Sequence, residues 1–153
     1  MTHSDRYEDG LRIRREVLGA EHVQRSLDAA TEFARPIQEL VTEYCWGAAW
    51  ARPGLERRVR SLINLGMLTA LNRSHELRVH VRGAVTNGAS KREIQEALLQ
   101  ATIYCGVPAG MEAFRVAEAA IDELEREGVV VAEEPGGHTD ATSDGQAPSR
   151  GTT

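Results

Sequence analysis

The sequence of 153 residues has little cysteine, almost no lysine and no long apolar run. Its two cysteines, Cys45 and Cys105, are sixty positions apart, which excludes a disulfide framework and any metal-ligand spacing. Lys91 is the single lysine among 18 basic residues, a preference for arginine that a GC-rich genome explains. No apolar run approaches the roughly 18 residues that a membrane span needs, so we expect no membrane association.

Charge and the opening residues restrict the partners and the compartment. The formal net charge is −5, which excludes general affinity for nucleic acid because phosphate binding requires a strongly basic face. The first ten residues are polar and lack the apolar core of a secretory signal. A cysteine-poor chain without such a signal suits a reducing compartment, so we expect a cytoplasmic protein.

Apolar residues recur at helical spacing through most of the chain and predict an all-α domain over residues 1–132. The sequence from Ser90 to Glu93 is a capping box, which marks the start of one helix. From Glu133 to Thr153 the composition changes to proline, glycine, serine, threonine and acids, which predicts a disordered acidic tail. Helices are predicted over 8–18, 33–44, 55–71, 74–87, 90–105 and 108–128, with extended structure only at 129–131.

The second half of helix 55–71 is apolar on nearly every side. A helix of this kind is buried all round, and one small domain rarely surrounds a helix completely. We therefore interpret this helix, and the apolar stripe of the last helix, as candidate subunit interfaces. Core packing within one subunit is an equally open interpretation.

Positive charge is concentrated between Arg52 and Arg82, where seven arginines accompany only two acids. A positive segment in an acidic protein indicates a small anionic ligand. On helix 74–87, Glu76, His80 and Asn87 lie within about a third of the circumference, together with Arg73, while Arg78 and Arg82 point to the opposite side and are expected to be solvated. On the preceding helix, Arg60 and Asn64 share a face, and a buried arginine must be paired.

Glu76 and His80 are four residues apart on one helix and can touch. A carboxylate beside an imidazole can hold its tautomer and raise its pKa, which suits proton transfer near neutral pH. The sequence has no glycine-rich phosphate loop, metal-ligand cluster or Gly-x-Ser-x-Gly turn. Cofactor-free and metal-free proton transfer on a carboxylated small molecule is the chemistry that remains, although a histidine on an apolar face can also be an ordinary core residue.

An ordered set of motifs resembles the carboxymuconolactone decarboxylases, a family that also includes the alkylhydroperoxidase D proteins. The resemblance covers about residues 14–124. Its motifs are Trp46-Gly47, Arg52-Pro53-Gly54-Leu55, Arg60-Ser61-Leu62-Ile63, Glu76-Leu77 with His80, Asn87-Gly88, Glu93-Ile94 with Glu96, and Tyr104-Cys105-Gly106-Val107-Pro108-Ala109.

The resemblance implies a compact, all-helical homo-oligomer, a hexamer or a trimer, with sites at or near subunit contacts. It also implies a carboxy-lyase that converts 4-carboxymuconolactone to β-ketoadipate enol-lactone in the breakdown of protocatechuate, without a cofactor. In this interpretation His80 donates a proton to carbon or stabilises the enolate, and Glu76 orients the imidazole of His80. The other implied roles are anion clamps (Arg60, Arg73), hydrogen-bond donors to the lactone (Asn87, Tyr104) and an apolar wall (Trp46, Trp50).

The sequence departs from the peroxidase branch of that family at the sulfur positions. Carried onto this chain, the peroxidases' histidine is His80, their two cysteines are Arg73 and Glu76, and their upstream glutamate is Ser61. Cys105 lies in an apolar stripe, so we expect a buried, inert thiol. A peroxidase or a member acting on another lactone remains an alternative, and so does a non-catalytic oligomer that binds an aromatic-derived acid.

Overall fold

The computed structural model describes residues 3–136, which form seven α-helices and one π-helix with no strand. The all-α prediction is confirmed for this part of the chain. The elements are α1 (His3–Leu18), α2 (Ala20–Asp28), α3 (Arg35–Leu40), the π-helix (Val41–Trp50), α4 (Arg57–Ala70), α5 (Ser74–Thr86), α6 (Lys91–Cys105) and α7 (Val107–Arg126).

Two packed groups of helices share α5. Helices α4, α5, α6 and α7 pack around a common core, whereas α1 packs along the π-helix and also contacts α5. Leu65 and Val81 are fully buried in the first core, and Ile13, Val17, Trp46 and Trp50 form the second. Helix α5 is therefore in contact with both groups, so residues on its different sides meet different neighbours.

Glycines allow α1 and the π-helix to cross with their backbones in contact. A Cβ atom on Gly10 would lie 2.0 Å from the carbonyl oxygen of Thr42, and one on Gly47 would lie 2.2 Å from the carbonyl oxygen of Arg6. Any larger residue would force the two helices apart. The crossing thereby fixes the position of the neighbouring Trp46 relative to α5.

The N-terminal half differs from the sequence prediction in three places. Helix α1 begins at His3, five residues before the predicted start. Helix α2 was not delimited; it follows Gly19, whose φ of 92° ends α1, and it buries Val23 completely. The helix predicted over 33–44 continues to Trp50 as a π-helix, in which the N–H of Ala51 donates to the carbonyl of Trp46 over 3.1 Å. Because π-helices are rare, a helical pattern in the sequence is interpreted as an α-helix.

The segment after α7 lies against the start of α6. The backbone N–H groups of Lys91 and Arg92 donate to the carbonyls of Ala132 and Glu133, and Val131 is buried. The Lys91 and Arg92 side chains also form ion pairs with Glu133 and Glu134, respectively. The first two residues of the predicted tail are therefore in contact with the domain, and residues 137–153 lie outside the described part of the chain.

Helix α4 is not surrounded on every side within one chain. Leu65 is fully buried, but Ile63, Met67 and Leu71 are 47%, 50% and 66% exposed. These three residues lie along one side of α4, so core packing within one subunit does not account for them.

In the described residues, no helix is long and apolar enough to cross a membrane.

Candidate functional site

His80 lies where α4, α5 and the π-helix meet. The Nδ1 atom of its imidazole is 3.5 Å from the side-chain nitrogen of Asn64 on α4. The indole of Trp46 lies parallel to the imidazole, with an interplanar angle of 2° and ring centroids 6.4 Å apart. Trp50 stacks on Trp46 with centroids 4.8 Å apart, and both indoles are buried. The structure thus places Trp46 beside His80 and Trp50 beside Trp46.

Burial lowers the pKa of His80, and the charge of Glu76 opposes this effect only in part. Glu76 lies one helical turn before His80 and is exposed to solvent, which weakens its influence on the imidazole. The net direction is opposite to the raised pKa that the Glu76–His80 spacing suggested, because desolvation outweighs the carboxylate. The imidazole is therefore neutral near pH 7.

Arg60 lies one turn before Asn64 on the same side of α4. One terminal nitrogen of its guanidinium donates to the carbonyl of Arg52 over 3.0 Å, and its Nε atom is buried without a partner in the described structure. Within residues 3–136, Arg60 forms no ion pair with a carboxylate. An incompletely paired guanidinium at this position suits an anionic ligand, because a carboxylate accepts two parallel hydrogen bonds from it.

Ser61 and Asn87 form a hydrogen bond beside these residues. The side-chain nitrogen of Asn87, directly after α5, donates to the Ser61 hydroxyl over 3.0 Å, and Ser61 is 1% exposed. This bond ties the end of α5 to α4. One N–H of the Asn87 carboxamide is thereby engaged, and the second can donate to a ligand.

Arg73 and Tyr104 are not brought to His80 by the described fold. Arg73 is exposed just before α5 and, unlike Asn87, makes no side-chain hydrogen bond to α4 in the described residues. Tyr104 is 80% exposed and lines a groove of about 350 Å³ between α4 and α6, to which α5 contributes no residue. Their implied roles in substrate binding are not supported within a single chain.

Most arginines of the positive segment have carboxylate partners. On the far side of α5, Arg78 pairs with Glu123, and Arg82 pairs with Glu123 and Glu127 on α7. On α4, Arg57 pairs with Glu16 and Arg58 pairs with Glu93. The outward direction predicted for Arg78 and Arg82 is confirmed, although both form ion pairs on the surface. These pairings leave Arg52, Arg60 and Arg73 without a carboxylate in the described residues.

A larger groove, of about 520 Å³, lies between α6 and α7 and contains none of the predicted site residues. Ile94, Leu98 and Phe114 contribute to its apolar lining. The two cations at its edge, Lys91 and Arg92, are already paired with carboxylates. Without a free cation or a buried titratable group, this groove has fewer features of a catalytic site than the surroundings of His80.

The two thiols do not form a redox site with His80. Cys105 is exposed at the end of α6, so the expectation that it is buried was wrong. Cys45 is also an exposed residue, but partial desolvation of its thiol raises its pKa, which disfavours the thiolate that acts as the nucleophile. The described residues contain no group of three histidine, cysteine, aspartate or glutamate side chains that could hold a metal ion.

No role was predicted for Asn64, although it was placed on one face with Arg60. Ser61 was considered only as part of a motif and as the position at which the peroxidase branch has a glutamate. Both residues contact predicted site residues. The spacing of Arg60 and Asn64, four residues apart on α4, was the available signal. It could not show that α4 turns this side towards α5, because the sequence does not specify which helices are neighbours.

Comparison with known proteins places these residues in a family. Residues 35–119 match the family described as the carboxymuconolactone decarboxylase family. The chain is 44% identical over 122 residues to the nitrosuccinic acid decarboxylase npaB of Metarhizium robertsii, covering 80% of this chain and 85% of that protein. It is 41% identical over 124 residues to the 4-carboxymuconolactone decarboxylase of Acinetobacter baylyi, covering 81% of this chain and 92% of that protein.

Proposed function

Because this chain belongs to the carboxymuconolactone decarboxylase family and is a decarboxylase, we propose that its substrate is 4-carboxymuconolactone. The product is then β-ketoadipate enol-lactone, an intermediate in the breakdown of protocatechuate. The observation that supports this proposal best is the partly unpaired guanidinium of Arg60, one turn from the residue that faces the half-buried imidazole of His80, whose pKa is lowered. A carboxylated substrate would supply the missing partner.

The proposed substrate has its own electron sink. The leaving carboxylate is attached to a ring carbon that is conjugated, through the ring double bond, with the lactone carbonyl. When the bond to carbon dioxide breaks, its electrons pass into that carbonyl and form a dienolate. Protonation of carbon then completes the reaction, so one proton is taken up for each carbon dioxide released. The protein has to bind the carboxylates, stabilise the enolate oxygen and supply the proton.

The environment of each site residue suits it to one of these three tasks. Arg60 anchors a carboxylate, and the buried indoles of Trp46 and Trp50 form an apolar wall that disfavours the charged carboxylate relative to neutral carbon dioxide. A neutral imidazole is a hydrogen-bond donor rather than a strong acid, so the lowered pKa favours His80 as the stabiliser of the enolate oxygen. Glu76 is exposed one turn away, where its negative charge acts on the imidazole, and the proton for carbon comes from water.

The free N–H of Asn87 is a donor for the lactone. Arg73 and Tyr104 can take part only if a second copy of the chain brings them to the site. We propose such an assembly, a homo-oligomer that is a hexamer or a trimer, in the cytoplasm. Its support is the exposed stripe of Ile63, Met67 and Leu71, which lies on α4 next to Asn64. Sedimentation of the purified protein measures the number of copies directly.

A second substrate class deserves a test because of the relative from Metarhizium robertsii, which is named as a nitrosuccinic acid decarboxylase. Loss of carbon dioxide next to a nitro group leaves a nitronate, so a nitro group can take the place of the conjugated lactone as electron sink. A guanidinium and a neutral imidazole would stabilise either anion. The thiol-dependent peroxidase alternative has weaker support, because partial desolvation raises the pKa of the Cys45 thiol.

The deciding experiment compares two substrates under the same conditions. Purified protein is incubated with enzymatically generated 4-carboxymuconolactone or with 2-nitrosuccinate, and carbon dioxide release is followed. We expect turnover of the lactone with a kcat/KM at least tenfold above that of the nitro acid. No release from the lactone at micromolar enzyme would contradict the proposal, and release from the nitro acid alone would replace it.

A further inference from the structure

The proposed role of His80 leaves open which of its two ring nitrogens carries the proton. A neutral imidazole has one N–H, and the partner of the other nitrogen decides which tautomer is present. Among the described residues, Asn64 is the side chain within hydrogen-bond distance of the imidazole, and it faces Nδ1. Glu76, the nearest carboxylate along α5, acts on His80 through its charge.

We propose that Asn64 is a positioning residue whose carboxamide donates to Nδ1 of His80 and holds the proton on Nε2. The Nε2–H group is then the donor that is directed at the substrate, away from α4. This inference rests on the proposed function only for what Nε2–H acts on. The tautomer itself is a property of the free protein.

The surroundings of Asn64 favour this orientation of its carboxamide. Arg60 lies four residues earlier on the same side of α4, at the separation at which helical side chains are neighbours. Arg60 makes no hydrogen bond to Asn64 in the described residues, but its positive charge favours the orientation in which the carboxamide oxygen is on the side of Arg60 and the NH₂ group on the side of α5. An NH₂ group facing Nδ1 requires a lone pair on that nitrogen, so the proton of the neutral ring is on Nε2.

The ring is also restrained from its other side. Trp46 lies parallel to the imidazole, and the π-helix that carries it is held against α1 by Gly10 and Gly47. A half-turn of the ring about Cβ–Cγ, which would put Cδ2 in the place of Nδ1, would have to move past this indole. The Asn64–His80 separation of 3.5 Å is at the outer limit of a hydrogen bond. We expect it to shorten when substrate fills the site, as catalytic hydrogen bonds commonly do.

Nitrogen NMR of the free protein tests the tautomer without any substrate. The imidazole of His80 is assigned in ¹⁵N-labelled protein by the loss of its signals in His80→Gln, at a pH of about 7.5 where the ring is neutral. We expect a lone-pair nitrogen signal for Nδ1 and an N–H signal for Nε2. A protonated Nδ1 in the unaltered protein would overturn the proposal, whatever the variants below do.

Asn64→Asp is the matching substitution, because it keeps the shape of the side chain and replaces the donor with an acceptor. The carboxylate should draw the proton to Nδ1 and exchange the two nitrogen signals. We expect kcat to fall on the order of 10²-fold while KM changes less than about threefold. The control is Asn72→Asp, which adds the same charge at an exposed asparagine between α4 and α5 and should leave both constants unchanged.

Asn64→Leu provides a variant without a new charge. Loss of the donor should leave a mixture of tautomers and an intermediate kcat. Unchanged nitrogen signals in both Asn64 variants would overturn the proposal. If the tautomer is as expected but the lactone is not turned over, the substrate assignment is wrong and the role of Asn64 is retained. The two failures are therefore distinguishable.

Discussion

His80 and Arg82 lie two residues apart on α5, yet they meet opposite surroundings. Arg82 points towards α7, where Glu123 and Glu127 neutralise its charge. His80 points towards α4 and the π-helix, where its neighbours are an amide and an indole. On the α7 side of α5, carboxylates of the chain itself thus neutralise the arginine charges. On the α4 side, hydrogen-bonding groups remain available for a ligand.

The same contrast holds for arginines. Arg57, Arg58, Arg78 and Arg82 each pair with a carboxylate of the described chain, and Arg60 does not. Exposed ion pairs contribute little to stability, typically about 0–1 kcal/mol each. The number of arginines therefore says little about binding, and the pairing of each one says more. The predictions below test whether the two sides of α5 really differ in this way, in order of decreasing effect.

Replacement of His80 should have the largest effect. For His80→Ala we expect kcat to fall by a factor on the order of 10² or more, about 2.7 kcal/mol or more in activation free energy, because the enolate loses its hydrogen-bond donor. Steady-state carbon dioxide release measures this change, and sedimentation checks that the assembly is intact. Turnover like that of the unaltered protein would remove His80 from the chemistry.

Arg60 and Arg82 form a matched pair for the second prediction. Arg60→Met should lower kcat/KM by about 10-fold to 100-fold, since a charge-assisted hydrogen bond contributes about 1.5–3 kcal/mol. Arg60→Lys keeps the charge but not the bidentate geometry and should raise KM by a smaller factor. Arg82→Met should leave both constants unchanged and cost at most about 1 kcal/mol of stability. Equal losses of activity from Arg60→Met and Arg82→Met would contradict the distinction between the two sides.

The third prediction concerns the crossing that places Trp46. Gly47→Ala puts a Cβ atom 2.2 Å from the carbonyl oxygen of Arg6, so we expect a loss of about 1–3 kcal/mol in the free energy of unfolding. Gly66→Ala is the control, because nothing lies within 4 Å of its added Cβ on α4. It should be neutral or slightly stabilising. Urea unfolding of both variants gives the comparison, and equal stabilities would disprove close contact at the crossing.

The smallest effect is expected in the pH dependence of stability. Burial lowers the pKa values of His80 and His22 below the ordinary value of about 6.5, so the unfolded chain binds more protons near that pH. Stability is therefore full above about pH 6.5 and decreases as the pH falls towards the native pKa values. Urea midpoints between pH 5 and 8 should show a shallower decline in His80→Gln than in the unaltered protein. His22→Gln measures the other contribution, and midpoints independent of pH would show that neither ring is desolvated.

Much of the fold could be predicted because helical periodicity is a local property. The capping box at Ser90 and Glu93 is present, and α4 to α7 begin and end within a few residues of the predicted helices. Helix α2 was missed although it has the usual spacing, because a nine-residue helix presents few repeats. The π-helix was missed because its hydrogen-bond register leaves no distinct pattern in the sequence.

The candidate site was predictable in part for the same reason. His80 and Glu76 could be placed on one helix from their spacing, although no hydrogen bond joins them in the described residues, and the motif set indicated Trp46, Trp50 and Arg60. The direction of the His80 pKa was not predictable, because desolvation depends on how three helices close around the ring. Arg73 and Tyr104 share motifs with the site but lie apart from His80 in the described chain.

By itself the sequence determined an all-α domain, a family and the side chains that are available for catalysis, since these depend on residue types and their spacing. Tertiary structure alone decided which arginines have carboxylate partners and that Asn64 faces Nδ1 of His80. It also decided that desolvation lowers the pKa of His80. Pairing, tautomer and desolvation are set by atoms far apart in the chain, and only the packed helices bring those atoms within reach of one another.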